Sequence, residues 1–163
     1  GAYRNMFGIK ELADGRDFEG DMTVQQARVG ARVLNLLTVA YVRNGISANG
    51  TSEALFSTIE YGGSTVWQDG CQIGLEATRK VNTVGLYFQS SLGGSEDIND
   101  PVTNWSMLEA RIRSELLEGD AASGFIQINF GYDVICYDSR ESSETQPIDY
   151  EGFRIGVGVG VSF

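Results

Sequence analysis

The alternation of apolar and polar positions is clearest at the C-terminal end of the sequence. Phe153, Ile155, Val157, Val159, Val161 and Phe163 fall on one side of an extended chain, and Arg154, Gly156, Gly158, Gly160 and Ser162 on the other. Period-two alternation of β-branched and aromatic residues predicts a strand. Each glycine inside a strand costs roughly 0.5–1 kcal/mol against alanine, so three in register call for a compensating contact on the bare backbone. The expected source is a helix or bulky side chain of the same chain, a neighbouring subunit, or a bend in the strand itself. Gly74, Gly85 and Gly131 take comparable positions in other strand-like runs.

Period two also governs residues 52–92. Ala54–Tyr61 predicts a strand ending at Gly62-Gly63, and Asp69-Gly70 is a hairpin signal. Beyond it, Cys71, Ile73, Leu75 and Ala77 alternate with Gln72, Gly74 and Glu76, and Val84, Leu86 and Phe88 with Gly85, Tyr87 and Gln89. These runs predict an antiparallel meander with one buried and one partly polar face. Gly124–Tyr137 reads as a long strand that joins the C-terminal one in a hairpin over 124–163, across the polar excursion Asp138–Tyr150.

Two stretches read instead as helices. Thr23 and Gln26 form a capping box, Val33–Val42 is apolar nearly all round, and Asn44-Gly45 supplies a stop, which predicts a helix over 23–43. Such a helix is covered on several sides, by the core or by another subunit. Asp100-Pro101 opens the second, over 100–118, with Trp105, Leu108, Ile112 and Leu116 at helical spacing and Gly119 as its stop. Residues 1–22 form an N-terminal arm with an acidic loop. The predicted fold class is α+β: one domain over 1–163, with an antiparallel sheet of about five to seven strands and two packed helices.

Charge and composition narrow the function classes. The 163 residues carry a net charge of −10, which disfavours nucleic acid, because phosphate binding needs a basic face. An anionic membrane surface is disfavoured for the same reason. Histidine is absent, which removes the commonest general base and metal ligand together with every Ser-His or Cys-His nucleophile pair. No phosphate loop, dinucleotide-binding glycine pattern, HExxH or GxSxG occurs. Glu76 and Asp133 are the first candidates for a paired-carboxylate enzyme. Asp14, Asp17, Glu19 and Asp21 crowd a glycine-containing stretch and form a weak calcium candidate, although their spacing departs from the EF-hand. Cofactors are expected to be none. Cys71 and Cys136 lie far apart in strand-like runs and read as free thiols behaving as small hydrophobes, with a disulfide left open.

Two resemblances follow. The last eleven residues resemble the closing strand of bacterial outer-membrane β-barrels, which ends in a terminal phenylalanine behind alternate apolar positions. That resemblance implies Phe153 to Phe163 facing lipid and the small residues facing a lumen, while the two predicted helices and the strand number depart from it. The predicted layout of helix, meander, helix and hairpin is similar to small tail-completion and head–tail-joining proteins of tailed phages, which form rings through their sheets. The reading drawn from the whole is a non-enzymatic assembly subunit of a homo-oligomer: a ring, tube, filament or virion component. Its partners would be itself or other assembly proteins, with no nucleic acid and no membrane, and it would be soluble. Gly156, Gly158, Gly160, Leu36, Leu37 and Tyr41 are the candidate interface. Alternatives are a small-ligand module with a pocket between Trp67 and Tyr87, an outer-membrane β-barrel fragment, and a carboxylate or oxygen-metal enzyme.

Overall fold

The computed structural model describes residues 2–12, 17–34, 36–54, 57–92, 104–118, 122–137 and 148–162. Its elements are all strands: β1 (Ala2–Leu12), β2 (Glu19–Val33), β3 (Leu37–Ala54), β4 (Ser57–Arg79), β5 (Asn82–Ser91), β6 (Asn104–Glu118), β7 (Ser123–Tyr137) and β8 (Ile148–Ser162). Each pairs antiparallel with its neighbours in sequence, and β1 pairs with β8, so the sheet closes into a barrel.

Register fixes the shape of that barrel. The line of paired residues through Glu151 on β8 passes Val134, Ser106, Ser90, Cys71 and Tyr41 and reaches Val29 on β2. Three residues back, Gln26 pairs with Ala2 and Ala2 with Gly158. The circuit therefore returns to β8 about ten residues beyond its start, a stagger that tilts eight strands by about 40°. Tight turns and the end of β8 gather at one end of the barrel, where Leu34 and Lys80 take left-handed backbone angles (φ 54° and 55°) in the β2–β3 and β4–β5 turns. At the opposite, loop end, β3 and β4 run on to Ala54 and Ser57, well past Gly70, where β5 stops pairing with β4.

The α+β expectation is overturned, since the described residues contain no helix. The 23–43 segment is β2 and the start of β3, and the 100–118 segment is β6 from Asn104 on, while Asp100-Pro101 lies outside the described residues. The predicted turn at Asp69-Gly70 is also absent, and at Gly62-Gly63 there is only a register shift against β3, because β4 continues through both. Ladder pairing to β3 holds this stretch extended on one flank, and β5 joins on the other from Gly70. The antiparallel pairing of 124–137 with the C-terminal strand is present as the β7–β8 ladder. No described helix is long and apolar enough to cross a membrane.

The two apolar–polar phases of the strands set where the core lies. Toward the loop end, Met22, Val24, Ile46, Ala48, Val66, Trp105, Met107, Ile135, Ile148 and Tyr150 point inward and form one apolar cluster. Nearer the turns the phase reverses. There the inward positions are Gln26, Gln72, Glu76, Gln89, Glu109, Arg111, Gln127, Asn129, Asp133 and Arg154, all buried.

Candidate functional site

The outward face of the turn-end half is an apolar belt. On β8 it comprises Phe153, Ile155, Val157, Val159 and Val161, which are 51–71% exposed. Exposed Ile126, Ile128, Phe130, Tyr132 and Val134 continue it on β7, Leu108 and Ile112 on β6, Val84, Leu86 and Phe88 on β5, and Ile73 and Leu75 on β4. Val39, Tyr41 and Val29 carry it round to β2. From Phe153 to Val161, at about 3.3 Å per residue and about 40° of tilt, the belt rises roughly 20 Å. Ordinary soluble monomers rarely expose an apolar patch beyond a few hundred Å², and this one runs across seven strands, from β2 to β8. Polar groups mark its loop-side rim: Asp149 and Glu151 precede Phe153 on β8, Arg43 lies 3.9 Å from Asp69, and the Arg43 guanidinium sits 5.6 Å from the Trp67 ring.

Behind this belt the lumen is crossed by a connected ionic network. Asp133 accepts a hydrogen bond from Trp105 Nε1 at 2.8 Å and pairs with Arg154 Nε at 2.7 Å. Arg154 also pairs with Glu109 at 3.0 Å, and Glu109 binds Arg111 through its other oxygen. The Arg111 guanidinium lies 3.9 Å from the centre of the Tyr87 ring and donates to Gln72 Oε1 at 3.3 Å. Tyr87 donates its hydroxyl to Glu76, which is paired in turn with Arg32. Arg28 of β2 donates to the same Gln72 oxygen at 3.1 Å, and Gln26 donates to Asn44 and Gln89. Arg154, Arg111, Glu109 and Asp133 are each no more than 1% exposed. Burying ions is strongly unfavourable unless they are paired and hydrogen-bonded; here Asp133, Arg154, Glu109 and Arg111 alternate in charge and pair in sequence, while Arg111 Nη1, Arg154 Nη1 and the Asn129 amide are enclosed without a hydrogen-bond partner.

The network also accounts for several glycines. Tyr87 lies across Gly74 and Gly85, so a Cβ at Gly85 would come within 2.5 Å of its hydroxyl; Arg154 lies on Gly131, and Phe125 on Gly160. The bare backbone admits large inward side chains of the same chain. No helix is involved.

The sequence-predicted residues are distributed as follows. Gly156, Gly158 and Gly160 line the inner face of β8, whereas Leu36 and Tyr41 are exposed on the outside and Leu37 is half-buried at the start of β3. Trp67 and Tyr87 occupy opposite faces of the wall. Glu76 and Asp133 both enter the lumen but bind different partners, Arg32 and Tyr87 against Arg154 and Trp105. Asp17, Glu19 and Asp21 are exposed near the start of β2, and Asp14 lies outside the described residues; no group of three His, Cys, Asp or Glu side chains is placed to hold a metal among the described residues. Cys71 and Cys136 are free thiols. Arg111, Glu109 and Arg154 escaped sequence reasoning. Their available signal was a charged residue at every second position opposite an apolar one, as in Glu109–Arg111 against Leu108–Ile112.

No protein-family model matches the chain, and no curated protein matches it.

Proposed function

We propose that this protein is a membrane-spanning β-barrel of the outer-membrane type, in which lipid surrounds the apolar belt. The observation that carries the reading is the reversed polarity of the turn-end half, apolar outside and ionic inside, in a barrel with no helix among its described residues. A closed barrel satisfies its backbone hydrogen bonds internally, which hydrocarbon requires. Outward apolar and inward polar positions alternate on barrels of this kind, with a band about 25 Å tall, short turns at one end and longer loops at the other. The apolar cluster at the loop end and the ionic network below it cross the lumen, so the reading is of a plugged barrel that displays its loop end rather than of an open pore.

A second reading, assembly of copies through the belt, also answers the exposed apolar surface and keeps the homo-oligomer expectation as a proposal. One experiment separates the two. The denatured chain is diluted into buffer alone, into detergent micelles and into phosphatidylcholine vesicles, and folding is followed by circular dichroism and light scattering. The membrane reading expects a cooperative β-structured state only with micelles or vesicles and aggregation without them. A water-soluble β-structured oligomer of defined mass in plain buffer would overturn it in favour of assembly.

A further inference from the structure

The apolar belt is not of even height. On β8 it runs from Phe153 to Val161 and on β7 from Ile126 to Val134, a rise of roughly 20 Å on each. On β3 it runs only from Leu37 to Tyr41, roughly 10 Å. On β4 it runs from Cys71 to Ala77, roughly 15 Å with its small and half-buried members counted. In a closed ring of eight strands the β3–β4 pair stands opposite the β7–β8 pair. The belt is therefore tall on one side of the barrel and short on the other.

Charge ends it on the short side. The next outward residues toward the loop end are Arg43 on β3 and Asp69 on β4, paired in register, with side chains 57% and 50% exposed. The Arg43 guanidinium leans toward the loop end, onto the Trp67 ring that covers Gly45. Long cationic side chains can carry their charge to a polar interface in this way; Asp69, on a single methylene, has no such reach. Toward the other end the band already extends to the β2–β3 turn, where Leu34 and Leu36 are exposed. Tilting the whole barrel moves both edges of the belt together and leaves the difference in height between its sides. A bilayer accommodates a short apolar span by thinning, at a cost that grows with each ångström of mismatch.

We infer that the partner of the β3–β4 side is a phospholipid bilayer thinner than the one the β7–β8 side fits, so that the barrel compresses the membrane along β3–β4. The inference rests on the membrane reading. It adds to that reading an asymmetric lipid surface, whose preferred lipids carry short acyl chains.

The test folds the full chain in vesicles of dilauroyl-, dimyristoyl- and dioleoyl-phosphatidylcholine and follows urea unfolding by circular dichroism. The expected folding equilibrium constant is at least about tenfold larger in dilauroyl than in dioleoyl vesicles. The double variant Arg43→Leu/Asp69→Leu raises the short side and should narrow that ratio to about threefold or less. The matching change on the tall side, Asp149→Leu/Glu151→Leu, should leave the ratio unchanged. Should the first double variant not fold, Asp69→Leu alone carries the comparison and narrows the ratio part of the way. The inference is overturned if the unaltered chain folds equally well in all three lipids, or if the tall-side variant narrows the ratio as much as the short-side one. It is overturned as well if a cross-linker traps dimers through β3–β4 in dioleoyl vesicles, since a second copy would then cover the short side. Failure of the membrane reading shows separately, as folding without amphiphile.

Discussion

Two halves of the same barrel solve opposite problems with the same eight strands. In the loop-end half, Trp105, Met107, Ile135 and Tyr150 pack inside while Thr23, Asp149 and Glu151 face out. In the turn-end half, Leu108, Ile112, Phe153 and Val157 face out while Glu109, Arg111 and Arg154 are sealed inside. The first half is built as a protein in water is built, by burying apolar surface. The second exposes its apolar residues, to lipid on the proposed reading, and its interior is held by charge pairing instead. The level at which the phase flips, between Tyr150 and Phe153 on β8 and between Met107 and Leu108 on β6, is where the surrounding medium is proposed to change.

That contrast can be broken at its strongest point by Glu109→Gln. Removing this carboxylate takes a partner from both Arg111 and Arg154, and losing one member of a buried ion pair costs about 3–5 kcal/mol. Urea unfolding in micelles should show a loss of that size. A smaller effect places charge on the outside. Val157→Arg, in the middle of the belt, should cost about 2–4 kcal/mol in bilayers, whereas Glu151→Arg, beyond its rim, should cost about 0–1 kcal/mol. Equal costs would erase the boundary between the halves.

Smaller still is the effect of filling the bare inner wall. A Cβ at Gly74 would lie 2.6 Å from Cε1 of Tyr87, so Gly74→Ala should destabilise by about 1–3 kcal/mol through displacement of that ring. The same equilibrium unfolding measurement checks it. At the low end, Lys80 holds a left-handed angle of 55° in the β4–β5 turn. A side chain there costs roughly 1–2 kcal/mol, against roughly 0.5–1 kcal/mol for the added freedom of glycine. Lys80→Gly should therefore stabilise by up to about 1 kcal/mol, visible as a higher urea midpoint.

The reversal between halves also explains which parts of the fold were legible in the sequence. Where a strand lies mostly within one half, the alternation is unbroken, and the β5 segment and the C-terminal strand were read as strands. Where a strand crosses the boundary, its apolar residues change face and a spacing of three appears. On β6 the inward Trp105 is followed by the outward Leu108, Ile112 and Leu116, and intervals of three, four and four are those of a helix face. On β2 the inward Met22 and Val24 give way to the outward Ala27 and Val29, which made the Thr23 and Gln26 capping pattern persuasive. Propensity could not arbitrate, because Leu, Glu and Arg on β6 favour helices and the barrel overrides them with two ladders. The outward orientation of Phe153 to Val161 was available only through the family likeness of the last strand. The pairing within the lumen network was not legible, since Glu109, Asp133 and Arg154 come from three strands whose register no local pattern specifies.

The closing ladder has a consequence for how the chain reaches this state. Seven ladders join consecutive strands and can zip as successive hairpins, each linking segments adjacent in sequence. The eighth joins Ala2 to Gly158 and Leu12 to Ile148, contacts of the greatest sequence separation in the molecule, and such contacts form slowly. Until it forms, Arg154 and Glu109 stand in an open, hydrated trough. Ring closure and expulsion of water from the ions thus become one kinetic event. The folding barrier should respond to changes on β1 and β8 far more than to changes in the β4–β5 hairpin.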